Sequence, residues 1–148
     1  MPLRSEWLSA IREVENEYFA MELGSEYLRD AVRADPTIVL KDSRAEFVSE
    51  ARGNLEATYF VRLFAVFENG LRHYWITRVR ETEPQMKPLL DAVASRCKIP
   101  YEALDNAHAV RSFRNSIVHD NSEDFTEIGI QDARSHLCIY FGRLPFDW

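Results

Sequence analysis

Apolar residues recur at helical spacing along most of this chain. Trp7, Ile11, Val14, Tyr18, Met21, Leu28 and Val32 follow alternating steps of three and four, the spacing of one helix face. They predict a first helix from about Ser5 to Arg33, with Gly24 as a weak point. Asp35-Pro36 ends it, because a residue before proline avoids the α region. Thr37 to Asp42 is expected as an extended connector. Ser43 and Glu46 have capping-box spacing and open a long helix from about Arg44 to Glu81, with Gly53 and Gly70 as soft spots. Its stripe is dense and aromatic: Phe60, Leu63, Phe64, Phe67, Leu71, Tyr74 and Trp75. Glu56 falls within this stripe and Glu68 at its edge. After a turn at Thr82 to Lys87, Pro88 suits the first turn of a short helix from Leu89 to about Cys97. Pro100 separates it from a fourth helix beginning near Tyr101 and ended by Asp120-Asn121-Ser122. Glu123 to Gly129 is a polar connector. A last helix from Ile130 to Arg143 faces inward with Ala133, Leu137, Tyr140, Phe141 and Leu144, and Pro145 stops it. The aromatic tail, Phe146 and Trp148, docks on the core or seals an interface. The pattern predicts an all-α, up-and-down bundle of about five helices in a single domain, 1–148.

Composition agrees with that pattern. Of the 148 residues 46% are apolar and 12% aromatic, which is a folded chain with a real core, and only five are glycine. The net charge of −6 argues against a nucleic-acid coat protein, but leaves room for a nuclease whose positive charge is confined to one cleft. Arg62, Arg72, Arg78 and Arg80 are spread around the long helix and read as a solvated face. Cys97 and Cys138 lack C-x-x-C spacing and are expected as two reduced thiols filling the core. Met1 to Trp7 has no apolar run of signal-peptide type, and no segment approaches bilayer length without charge. The expectation is a soluble, cytoplasmic protein with no membrane contact.

The fourth helix carries the candidate chemistry. Ala103, Ala107, Val110, Phe113, Ile117 and Val118 share one apolar arc, and Arg114 falls inside it. A buried cation needs a partner or a task. Asn115 and His119 stand i, i+4 on a neighbouring face, with His108 and Ser112 near the same strip. The structural explanation is an Arg held by a carboxylate, with Glu68 as the candidate, and a helix-end His. The chemical one is a phosphodiester site. A histidine at a helix C-terminus, where the dipole favours positive charge, can move the 2′-hydroxyl or leaving-group proton, and a fixed guanidinium can stabilise phosphorane oxygens. No rival site emerges: His73, His108, His119 and His136 lack metal-ligand spacing, and no glycine-rich phosphate loop is present. Neither a metal nor a cofactor is expected.

Arg114-Asn115-Ser116-Ile117-Val118-His119 resembles the motif of the HEPN family: an Arg, usually followed by a polar residue, then four to six residues and a His. The run from Phe60 to Arg72 is similar to that family's long helix before the motif helix, and Ala133 to Pro145 to its final helix. The resemblance covers roughly residues 44 to 145. It implies an intracellular helical domain in which two protomers pair, each supplying Arg114 and His119 to a shared cleft. RNA would be cut there by 2′-hydroxyl attack without metal. Asn115 would orient the His or a phosphate, and Glu68 would be a further supporting residue. It also implies a toxin–antitoxin or antiviral setting with an antitoxin or defence protein as partner. Some family toxins carry a modifiable Tyr two residues after the His. Asn121 stands there, so that control is not expected. The alternative implied is a non-catalytic HEPN-like module for dimerisation or for binding a nucleotide or protein. Positions i and i+5 lie about 140° apart on an ideal helix. Arg114 and His119 therefore share a site only if the Arg side chain wraps round, the helix end distorts, or one protomer completes the site of the other.

Overall fold

A computed structural model describes residues 3–38, 45–119 and 124–148. Within them the chain forms α1 (Arg4–Ala34), a 3₁₀ turn (Pro36–Ile38), α2 (Ala45–Gly53), α3 (Leu55–Arg78), α4 (Met86–Cys97), α5 (Tyr101–Val118) and α6 (Ile130–Phe141). There is no strand among the described residues, and the all-α bundle expected from the pattern is the observed fold. The connector expected as extended over Thr37 to Asp42 begins in the 3₁₀ turn, which holds Thr37 and Ile38; its remaining residues 39–42, the capping box at Ser43 and the turn at Asp120-Asn121-Ser122 lie outside the described residues.

α3 is the axis of the bundle, packing against α1, α5 and α6. Every member of its aromatic stripe is buried, from Phe60 to Trp75. Phe67 meets Tyr140 and Phe141 of α6 edge-on, with ring centroids 5.7 and 6.0 Å apart, the geometry that opposes ring edge to ring face. All five inward residues expected on the last helix are buried, although Leu144 lies just past the end of α6. Gly70 sits at the crossing of α1, α3 and α6. A β-carbon there would stand 2.9 Å from Phe141 and from Trp7, so its bare backbone sets how closely these helices approach.

Two expectations are corrected. The long second helix is two helices, α2 and α3, divided at Asn54. Gly53 and Asn54 are poor helix formers, and α2 packs on α1, where Arg52 reaches Glu26 at 3.1 Å. Met21 and Leu28, expected to face inward, are 50% and 48% exposed. The cause is length. α1 has 31 residues, so it spans about 46 Å at 1.5 Å per residue and outruns the core. Ile11, Val14 and Tyr18 are buried in the bundle and Val32 near the far end of the helix, while Met21 and Leu28 between them lie beside α2. There Met21, Leu28, Phe47 and Ala51 line an open apolar groove.

The C-terminal tail docks on the core. Trp148 is buried against His73, Tyr74 and Phe141. Phe146 is exposed and lies under the Arg4 guanidinium, 3.6 Å from its ring centroid. Arg4 also donates to the carbonyls of Gly142 and Leu144, tying the start of α1 to the end of the chain.

Candidate functional site

α5 positions the candidate residues by packing its first half and leaving its second half only partly covered. Ala103, Ala107 and Val110 are buried, Phe113 and Ile117 are half-buried, and Val118, expected on the apolar arc, is 46% exposed. Phe113 anchors this half of the helix, edge-on to Phe60 of α3 at 4.9 Å and beside Phe125 at 5.8 Å.

Arg114 is half-buried one turn further along the same face of α3. Its guanidinium carbon lies 5.8 Å from the Phe64 ring centroid, within reach of a cation–π attraction. Nη1 donates to Asn115 Oδ1 at 3.2 Å. Nε is buried without a hydrogen-bond partner, and no carboxylate pairs with the guanidinium among the described residues. The partner expected for it, Glu68, is engaged elsewhere: one oxygen accepts from Arg72 Nε and Nη2 at 2.9 and 2.7 Å. A partly desolvated guanidinium with donors unused is an anion-binding group.

His119 ends α5. Its backbone is extended, with φ −128° and ψ 132°, while its N–H still donates to Asn115 O at 2.8 Å. The helical-wheel separation from Arg114 therefore stops applying at this residue, since its Cβ is aimed by extended backbone. The imidazole is exposed and has no side-chain partner among the described residues. Asn115 is the joint of the group: its side chain meets Arg114 and its carbonyl holds His119. The structure thus joins the Arg114 and Asn115 side chains, holds His119 to Asn115 through backbone alone, and leaves Glu68 in a separate clamp. His108 pairs with Asp91 of α4 at 2.7 Å and is also apart.

A groove runs beside this end of α5, about 440 Å³ in volume, with Glu56, Phe60, Phe113, Ile117 and Glu127 among its lining residues. Glu56, read from the pattern as part of the apolar stripe, is exposed here and accepts the Ile130 N–H at 3.0 Å, capping α6. Arg114, Asn115 and His119 do not line this groove. A larger concavity, about 700 Å³, lies at the other end of α3, where Tyr74, Arg78, Arg96, Cys97, Arg143 and Asp147 meet. No periodicity in the sequence brings those residues together. Arg78 was legible only as one charge of a solvated face, and the other arginines arrive from distant segments. Both cysteines are free thiols. Burial pushes the Cys138 thiol up, away from nucleophilic use at neutral pH.

No helix among the described residues is long and apolar enough to cross a membrane. Compared with protein families, curated proteins and solved structures, the chain has no match.

Proposed function

We propose that the chain is a metal-independent endoribonuclease of the HEPN type, acting as a cytoplasmic homodimer. The observation that carries this reading is Arg114: a half-buried guanidinium without a carboxylate, hydrogen-bonded to Asn115, which also holds the exposed, helix-ending His119. An unpaired cation at such a position costs desolvation that an anionic ligand offsets. In the reaction, His119 takes the 2′-hydroxyl proton and the freed oxygen attacks phosphorus. Arg114 stabilises the charge on the non-bridging oxygens, and the 5′-oxygen leaves with a proton from the second His of the pair. The products carry a cyclic phosphate and a 5′-hydroxyl. In this reading the partner is an antitoxin or another component of a toxin or antiviral-defence system.

One observation favours a second reading. The three residues do not line the neighbouring groove, so a single chain offers RNA an open surface. A HEPN-like module that dimerises, or binds a nucleotide or protein without cleaving, fits that surface. The two readings divide on one experiment. Purified protein is incubated with structured and single-stranded RNA in EDTA, beside Arg114→Ala and His119→Ala. The expected outcome is cyclic-phosphate ends from the wild type and a loss of at least about a hundredfold in each variant, the scale of a lost acid–base or electrostatic group. RNA left intact by the wild-type dimer, with any activating partner present, refutes the enzyme and leaves the binding module.

A further inference from the structure

We infer that the arginine-lined concavity between the ends of α3, α4 and α6 is a binding site for a small phosphorylated molecule, separate from the Arg114–His119 group. Its volume, about 700 Å³, falls within the range of small-molecule sites, roughly 300–1,000 Å³, and has room for a ligand the size of a nucleotide.

The charge is the first ground. The chain carries 24 acidic and 18 basic residues, and four arginines elsewhere pair with carboxylates from their own or a neighbouring helix: Arg52 with Glu26, Arg62 with Glu17, Arg72 with Glu68 and Arg134 with Glu15. Around this concavity Arg78, Arg96 and Arg143 converge against a single carboxylate, Asp147, and none of the three is ion-paired among the described residues. Three like charges brought together repel one another unless something negative joins them.

Helix capping is the competing explanation, because cations belong near helix C-termini. Several of the carbonyls there already accept backbone donors. Trp75 O accepts from Val79 and Arg80, Ala94 O from Lys98 and Ile99, and Cys138, Tyr140 and Phe141 accept from Gly142, Arg143 and Leu144. Only Arg78 reaches a carbonyl, that of Asp147, which steadies its guanidinium at the rim. Arg96 lies beside the Tyr74 hydroxyl, and its remaining donors, with those of Arg143, are left to a ligand. Guanidiniums from separate elements suit the several oxygens of a phosphate or diphosphate, which accept forked, charge-assisted bonds. At the floor, the Tyr74 hydroxyl and Cys97 Sγ lie 3.3 Å apart, so an occupant covers the thiol.

The test uses the full chain with inorganic phosphate, pyrophosphate, AMP and ADP as probes in isothermal titration. It is repeated on Arg96→Gln and Arg143→Gln, whose melting checks that the exposed substitutions leave the fold intact. Alkylation of Cys97 is followed in parallel, with Cys138 as internal control. Saturable binding of at least one probe is expected. It should weaken about ten- to hundredfold in each variant, the effect of one charge-assisted hydrogen bond, and slow the labelling of Cys97 alone. Absence of binding at millimolar probe, binding indifferent to both substitutions, or unchanged Cys97 labelling at saturation overturns the assignment. RNA that binds through these arginines while no small probe does so overturns it as well.

Discussion

Glu68 shows how a single side chain can be legible by position and still misread by partner. It lies at the edge of the α3 stripe and was the carboxylate expected for Arg114. It pairs instead with Arg72, four residues on along its own helix, and Arg72 Nη1 also donates to Pro84 O at 2.8 Å. The i, i+4 partner wins because both groups already ride on one rigid helix, so the pair forms with little further ordering. The consequence is testable. Glu68→Gln should lower stability by only about 0.3–0.5 kcal/mol in urea titration and leave any RNA cleavage unchanged. Cleavage that collapses with this substitution, while the fold remains intact, would return Glu68 to the site. Arg114 gave the opposite lesson. Its placement on an apolar face announced a half-buried cation, and the structure adds that Asn115 is its hydrogen-bond partner. Spacing alone could not show that, because adjacent residues on a helix do not ordinarily face each other.

At the scale of elements, the hydrophobic period located the helices and left their divisions to local backbone chemistry. The run from 44 to 81 has one continuous apolar pattern, yet it divides at Asn54, where Gly53 and Asn54 weaken the helix. Periodicity reports which face is apolar and is silent on what covers it. Met21 and Leu28 continue the seam of Ile11, Val14 and Tyr18 without a break, and only the differing lengths of the elements leave them open to solvent. Gly53 and Gly70 divide in the same way. Nothing lies within 4 Å of a β-carbon built on Gly53, whereas one on Gly70 meets Phe141 and Trp7 at 2.9 Å. Gly53→Ala should therefore stabilise the protein by about 0.4–1 kcal/mol through the unfolded chain and helix propensity. Gly70→Ala should destabilise by about 1–3 kcal/mol, since two packed aromatic rings must move. Urea midpoints at constant slope measure both. Equal signs for the two substitutions would contradict the packing at the α1–α3–α6 crossing.

For the whole molecule, stability is tied to buried phenols. The Tyr140 hydroxyl, wholly inside the bundle, donates to Leu90 O at 2.7 Å, joining α6 to α4, and burial pushes its ionisation far above the ordinary tyrosine range. Burial, with the Cys97 thiol next, pushes Tyr74 up to about 12, and burial, with Glu56 and Glu22 beside it, does the same for Tyr18. An unfolded tyrosine ionises near pH 10. Above that value the unfolded chain gives up these protons while the folded one keeps them. The stabilisation is therefore complete below about pH 10 and is lost as pH rises toward the folded values. Each phenol contributes a slope on the order of 1 kcal/mol per pH unit in that window. Tyr140→Phe isolates one of them. At about pH 8 the variant should be less stable by roughly 1 kcal/mol, the value of one buried hydrogen bond. Having no proton to lose at this site, it should then decline more slowly than the wild type, so that the two urea midpoints converge between about pH 10 and 12. Midpoints that stay parallel across that range would mean that the Tyr140 hydroxyl reaches solvent before the bundle opens, and that its bond to Leu90 does not hold α6 on α4.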